Sequence, residues 1–240
     1  MSSIAERLDA VRARIAQAAR QAGRDPAEVT LVTVTKTHAA ALVAEVVSAG
    51  AADVGENRVQ EAQAKINALV ELHPCVRWHL IGHLQRNKAR AAAELFDLVH
   101  SVDSLRLAEA LARHVAPDQR LPILLQVNVS GEASKEGFDL QGGVANRAAL
   151  AALLPAVEGV LACPSLEVRG LMTVAPMLPN PEAARPTFRA LRELRDELAR
   201  RFPTATWAEL SMGMSDDFAV AISEGATIVR VGRAIFGERE

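Results

Sequence analysis

Lys36 ends the run Val29-Thr-Leu-Val-Thr-Val-Thr-Lys36, which is β-branched at almost every position. Such a run reads as a buried strand with an ammonium group at its exit. An amine at that position loses hydration, its pKa falls, and the neutral form can attack a carbonyl. A lone lysine is better explained by snorkelling to the surface or by pairing with a carboxylate. The other end of the chain adds the second half of the argument. Ser211-Met-Gly-Met-Ser-Asp-Asp217 leads into a helix, where Gly213 permits close backbone approach and the Ser211 hydroxyl and helix-start amides can donate to a dianion. Arg230-Val-Gly232-Arg233 ends the last strand, and backbone N–H groups at Gly232 and Arg233 would complete a phosphate clamp, with Arg233 adding charge. An imine-forming amine together with a phosphate clamp points to pyridoxal phosphate.

Each of these motifs also has a plainer explanation. The Ser211–Asp217 segment could be an ordinary capped turn with Ser215 or Asp216 as N-cap, and Arg230 could be half of a buried ion pair. In Trp78-His-Leu-Ile-Gly82-His83-Leu-Gln-Arg-Asn87-Lys88, a strand followed by a turn does not place His79 and His83 as a helical metal-binding pair. His79 therefore reads as a satisfied core histidine and His83 as a wall of the site; no metal is expected. Asn57, in Gly55-Glu-Asn57-Arg58, is placed either near a cofactor ring or as a helix cap. The polar segment 130–137 is long enough to be a lid, with Lys135 as a solvated charge.

Alternating elements position these groups. After an opening amphipathic helix in residues 1–22, strands are expected at 29–36, 51–55, 76–82, 98–102, 123–129, 166–173, 206–210 and 227–231. The intervening helices fall at 39–49, 57–72, 85–95, 104–115, 142–154, 182–202 and from 216. Eight strand–helix units in 240 residues predict an α/β fold, a (β/α)8 TIM-type barrel with an extra N-terminal helix, as one domain spanning 1–240. An open doubly wound sheet would need a glycine-rich turn after its first strand, and Lys36-Thr37-His38 holds none. In the barrel, the polar residues at strand C-termini converge on one mouth, with the phosphate site after the last two strands.

Composition narrows the function classes. A formal net charge of −2 and the lack of a basic stripe argue against nucleic acid, and 3% aromatic residues leave few base-stacking platforms. Cys75 and Cys163 sit in no metal or redox spacing and suit a reducing compartment. The opening helix lacks the apolar stretch of a signal peptide, and no apolar run reaches membrane-spanning length. A cytoplasmic protein is expected and, without an extended apolar patch, a monomer.

Taken together, these segments resemble the pyridoxal phosphate homeostasis protein family, itself similar to the N-terminal barrel of alanine racemases. The resemblance rests on Val34-Thr-Lys36-Thr, Gly55-Glu-Asn57-Arg-Val-Gln-Glu61, the 78–88 segment, and Gln126-Val-Asn128 through Gly137. It continues through Arg169-Gly-Leu-Met172-Thr, Leu210-Ser-Met-Gly-Met-Ser-Asp216 and Arg230-Val-Gly-Arg-Ala-Ile-Phe-Gly237, covering nearly the whole chain in order. It implies Lys36 as the Schiff-base lysine, Ser211, Gly232 and Arg233 around the phosphate, Arg230 facing the pyridine nitrogen, and Asn57, His83, Met172 and Gly213 around the cofactor. His38 stands where some members carry a second lysine, and Arg233 where many carry Thr or Ser. A backbone contact at 233 would survive that change.

Arginine donates to a pyridine nitrogen without releasing its proton, so the ring is left a weaker electron sink. Two-base racemisation in the racemases uses a tyrosine from a further β domain, whereas this chain has no Tyr and ends soon after its eighth expected strand. The residues thus predict a cofactor-holding protein, and the resemblance implies a role in cofactor homeostasis, with PLP-dependent apoenzymes as possible recipients. A weak amino-acid racemase using His83 or water as second base is the enzymatic alternative. A cofactor-free, class I aldolase-like barrel is the third reading.

Overall fold

The structure, a computed structural model, describes residues 3–72, 75–132 and 135–237. Eight parallel strands close into a barrel: β1 (Thr30–Val34), β2 (Asp53–Glu56), β3 (Arg77–Leu80), β4 (Leu98–Val102), β5 (Leu121–Asn128), β7 (Leu166–Met172), β8 (Glu209–Ser211) and β9 (Ile228–Val231). They pair in that order, and β1 closes onto β9 with Val32 opposite Arg230 and Thr33 opposite Val231. The outer layer holds α2 (Ala40–Ser48), α3 (Val59–Ala68), α4 (Ala89–Leu95), α5 (Leu105–Ala112), α6 (Arg147–Leu161), α7 (Arg185–Arg201) and α8 (Phe218–Ser223). The (β/α)8 barrel read from the sequence is the fold.

Several boundaries differ from expectation. The first strand stops at Val34 rather than 36, because the chain turns at Lys36–Thr37 and Thr37 takes φ 68°. The helix expected over 57–72 is shorter, with Arg58 as N-cap, so Asn57 is not the cap. The expected 142–154 helix runs instead from 147 to 161, behind a short 3-10 turn capped by Asn146. Two small elements carried too little periodicity to be foreseen. One is β6 (Phe138–Asp139), which pairs with the outer end of β5, and the other is α9 (Arg233–Phe236), which follows β9 directly.

The opening helix α1 (Ile4–Gln21) is built into the barrel wall. Ser3 and Glu6 form a reciprocal capping box at its start. Leu8, Val11, Ile15 and Ala19 face the core. Arg7 Nε donates to the Ile235 carbonyl, and Arg24, just beyond the helix, donates to the carbonyls of Ile222 and Ala226. Because α8 and α9 are short, α1 covers the seam where β1 meets β9. Leu8 is fully buried there, so Leu8→Ala should lower unfolding stability by about 2–5 kcal/mol in urea titration. A change below about 1 kcal/mol would mean that α1 is only loosely docked.

Candidate functional site

Because all strands of the barrel run parallel, their C-terminal ends form one mouth. Lys36 lies half-buried in the turn beyond β1. That turn is strained, since a β-branched residue in the left-handed region costs about 1–2 kcal/mol. It is held by charges beneath it. The Thr37 N–H donates to Glu61 Oε1, and Lys65 Nζ lies 2.7 Å from that same oxygen, 2.7 Å from the Thr35 carbonyl and 2.6 Å from Glu56 Oε1. Thr35 Oγ1 donates to Glu56 Oε1 at 2.6 Å. Burial pushes the Glu56 carboxyl above the ordinary glutamate value despite its bonds to Lys65 and Thr35. At Glu61 burial acts in the same direction but is outweighed by Lys65 and the Thr37 N–H, and the carboxyl is held lower. This cluster fixes both residues that flank Lys36, and the sequence reading overlooked it. Its signal was the i,i+4 spacing of Glu61 and Lys65 on an otherwise ordinary helix.

Beside the Lys36 turn, two segments are laced together. The Gly213 carbonyl accepts from Arg230 N at 3.0 Å, and Met212 N donates to the Ile228 carbonyl. Gly213 takes φ 93°, and a Cβ there would fall 2.6 Å from Ala221 Cβ and 2.9 Å from Phe218 Cα. Only glycine lets this turn close on α8. Asp217, not Ser215 or Asp216, is the residue that flanks α8, and its Oδ1 accepts from Met214 N at 2.6 Å. The turn delivers Ser215, half-buried, to the start of α9, where Ala234 N lies 3.4 Å from Ser215 Oγ. Gly232 caps α9 and packs tightly on Val34, whose carbonyl would lie 3.1 Å from a Cβ added there. His38, from the Lys36 turn, stacks on Phe236 with ring centroids 4.4 Å apart. The β1 turn, the 213–217 turn and α9 therefore form one rim.

Ser211 departs from its expected role. It is the last residue of β8 and fully buried, and its hydroxyl lies 2.8 Å from His100 Nδ1 and 2.6 Å from Arg230 Nη1. Strand alternation turns its side chain into the barrel, and Ser215, four residues on, is the serine that reaches the start of α9. Arg230 also departs from its plainer alternative, because its hydrogen bonds go to Ser211 and the Thr173 carbonyl rather than to a carboxylate. Burial lowers its pKa to about 10, with the Asp217 charge opposing; the group still stays protonated at neutral pH. The Arg233 guanidinium pairs with Asp216 on the outer rim.

The remaining predicted residues line the mouth or its floor. Met172 is buried in the barrel interior with Val32, Leu98, Leu124 and Ile228. Asn57 backbone abuts Gly82, where a Cβ would fall 2.4 Å from the Asn57 carbonyl oxygen. His83 is exposed and lies 3.2 Å from Asp103. With Glu136, these two form the one group of possible metal ligands found among the described residues, with ligand atoms within 4.8 Å of one another. His79 is the satisfied core histidine the sequence predicts, with both ring nitrogens bonded. The 130–137 segment folds back on β5. Asn128 Nδ2 donates to the carbonyls of Glu132 and Lys135, and Gln126 Nε2 to that of Glu136. Residues 133 and 134 of the expected lid lie outside the described residues.

The alanine racemase N-terminal domain family matches residues 7–240. A protein of Pseudomonas aeruginosa named pyridoxal phosphate homeostasis protein is 46% identical over 242 residues, covering 100% of this chain and 97% of its own. The chain belongs to this family. A second member bearing the same name, from Aquifex aeolicus, is 42% identical and covers 98% of each chain. Among solved structures, PipY of Synechococcus elongatus PCC7942 with PLP bound superposes with a TM-score of 0.82. It is 39% identical, with 98% of this chain and 100% of that one covered. No helix among the described residues is long and apolar enough to cross a membrane.

The donor set suits pyridoxal phosphate: an amine at the mouth, a buried guanidinium, and a hydroxyl beside a tight backbone turn. Removing the support of the Lys36 turn should be costly. Lys65→Met would leave the buried Glu56 carboxylate unpaired and should cost about 3–5 kcal/mol of unfolding free energy. The Glu61 carboxyl, depressed in the fold, contributes stability that is present above its unfolded pKa and lost as pH falls through its folded value. The difference in urea midpoint between the native protein and Glu61→Gln should therefore be largest near neutral pH and close in acid. A gap independent of pH would contradict this assignment.

Proposed function

We propose that the chain binds pyridoxal phosphate as a Schiff base on Lys36 and serves intracellular cofactor homeostasis, storing, buffering or delivering the cofactor without robust catalysis of its own. The observation that carries this reading is the meeting of three chemically distinct groups at one mouth: the Lys36 amine, the buried Arg230, and the rim formed by Ser215, Gly232 and Arg233. When bound, the cofactor supplies an aldehyde for the amine and an electron-withdrawing ring. Lys36 anchors it reversibly. Ser215 and the backbone N–H groups at 232–234 bind the phosphate, with Gly213 and Gly232 keeping side chains out of the turn. Arg230 donates to the ring nitrogen and gives up no proton, which discourages carbanion chemistry.

The names of the P. aeruginosa and A. aeolicus relatives support the homeostasis role, and the PLP bound to PipY supports the ligand. Racemisation needs a base on each face of the substrate carbon. The chain has no Tyr, and His83 is taken up with Asp103. We read the whole chain, 1–240, as one cofactor-binding domain that acts in the cytoplasm as a monomer. Its natural partners in this reading are PLP-dependent apoenzymes that receive the cofactor.

Absorbance of the protein loaded with pyridoxal phosphate, before and after borohydride, tests the anchor. The expected result is a near-visible band lost on reduction, with the pyridoxyl adduct mapped to the peptide holding Lys36. Lys36→Ala should show no such band while keeping the native urea midpoint; the same reducible adduct in that variant would refute the assignment. Ser215→Ala should weaken cofactor binding by about 1–2 kcal/mol, as for one charge-assisted hydrogen bond. Equilibrium dialysis showing unchanged affinity would remove Ser215 from the clamp.

A further inference from the structure

Below the mouth, the barrel interior carries a continuous line of hydrogen bonds that the cofactor reading leaves unexplained. It starts at Asp53, on the first residue of β2 and so at the end of the barrel away from the mouth. Asp53 Oδ1 lies 2.9 Å from His79 Nε2, and His79 Nδ1 lies 2.9 Å from His100 Nε2. His100 Nδ1 is 2.8 Å from Ser211 Oγ, which accepts from Arg230 Nη1 at 2.6 Å. None of these five residues is more than 6% exposed. Unpaired polar groups at such depth are costly, and here each group satisfies the next.

The line has a direction, set by counting protons. Burial alone would raise the Asp53 carboxyl, but its hydrogen bonds from His79 and Arg77 outweigh this and hold it ionised. Asp53 therefore only accepts, and His79 Nε2 must carry a proton. His100 is held neutral first by its complete burial, with the Arg230 charge acting in the same direction. The charged groups facing the line are Arg77 at Asp53, and Arg230 with Asp217 near it at the other end. With its proton on Nε2, facing Asp53, His79 offers Nδ1 as an acceptor. His100 Nε2 then donates to His79, His100 Nδ1 accepts the Ser211 proton, and the Ser211 lone pairs turn to Arg230.

We propose that Asp53, His79 and His100 are positioning residues for the cofactor: they fix the Ser211 hydroxyl as an acceptor and so lock the guanidinium of Arg230 under the ring. The inference rests on the reading of Arg230 given above. Ser211 Oγ and the Thr173 carbonyl are the two anchors of that guanidinium, and only the first depends on the direction of a hydroxyl. His100→Phe would remove the acceptor that sets this direction. Gln would restore it, because its amide offers one donor and one acceptor at imidazole-like spacing.

Two measurements test this. In the cofactor-free protein, nitrogen NMR of the histidines should show His79 and His100 as neutral tautomers protonated at Nε2. Protonation of either at Nδ1 would overturn the direction and the proposal. In the loaded protein, His100→Phe should weaken pyridoxal phosphate binding about tenfold, the scale of one buried hydrogen bond, and shift the absorbance maximum of the bound chromophore, with both effects reversed in His100→Gln. Asp53→Asn should move both in the same direction and stands in if His100→Phe does not fold by circular dichroism. Native affinity and spectrum in a folded variant would refute the positioning role. If the native protein shows no bound chromophore at all, the cofactor reading itself fails, and the tautomer measurement still decides whether the line runs as described.

Discussion

The parallel ladder between β1 and β9 is the constraint on which the site depends. It joins strands almost 200 residues apart in the chain, setting Val32 opposite Arg230 and Thr33 opposite Val231. With that register, the turn carrying Lys36 comes out beside Gly232 and the start of α9, and Val34 packs directly on Gly232. Without closure, the amine and the clamp would sit on opposite edges of an open sheet. The opening helix covers this seam, and Arg7 and Arg24 satisfy carbonyls of the C-terminal elements. An early segment thus secures the last strand, in a fold otherwise built from contacts between sequential neighbours.

The barrel interior is divided by chemistry. Val32, Leu98, Leu124, Met172 and Ile228 supply its apolar packing, while the line from Asp53 to Arg230 crosses it with polar groups. A guanidinium at such depth is expensive unless its N–H groups find acceptors. Arg230 finds them in a hydroxyl and a carbonyl, neither of which cancels its charge at close range. The result is a cation that is oriented but not neutralised by a direct ion pair, which is the property a donor to a pyridine nitrogen needs. The strained Thr37 turn shows the same logic at the rim, where Glu61 and Lys65 stabilise a conformation that a β-branched residue does not favour on its own.

These two supports also explain why holding a cofactor and transforming a substrate are separable on this scaffold. In the function proposed above, anchoring takes one amine and a phosphate clamp, for which the rim offers Lys36, Ser215 and the backbone at 232–234. Amino-acid chemistry needs in addition a strong electron sink and a second positioned base. An arginine at the ring nitrogen would work against the first.

The alternation of apolar runs with helical periods was enough to give the eight-stranded barrel. The positions of Lys36, Gly213, Arg230 and Gly232 at strand ends were enough to give the mouth, because in a parallel barrel every strand end faces the same way. Boundaries slipped where turn geometry or a cap prevailed over periodicity, as at Thr37 and Asn146. β6 and α9 were too short to leave a pattern. Side-chain direction near the end of a short strand could not be read from spacing: Ser211 ends β8 and turns inward to His100 and Arg230, whereas Ser215, in the turn beyond, reaches the start of α9. Nor could Asp53, His79 and His100 be grouped from sequence, since each lies on a different strand and only closure stacks them in one interior. Sequence by itself determined the fold and the place of Lys36 just past the first strand, which are encoded in local runs and their order. Tertiary structure decided which hydroxyl faces the rim, what holds the Lys36 turn and what orients Arg230, because those depend on contacts between residues tens to more than a hundred positions apart.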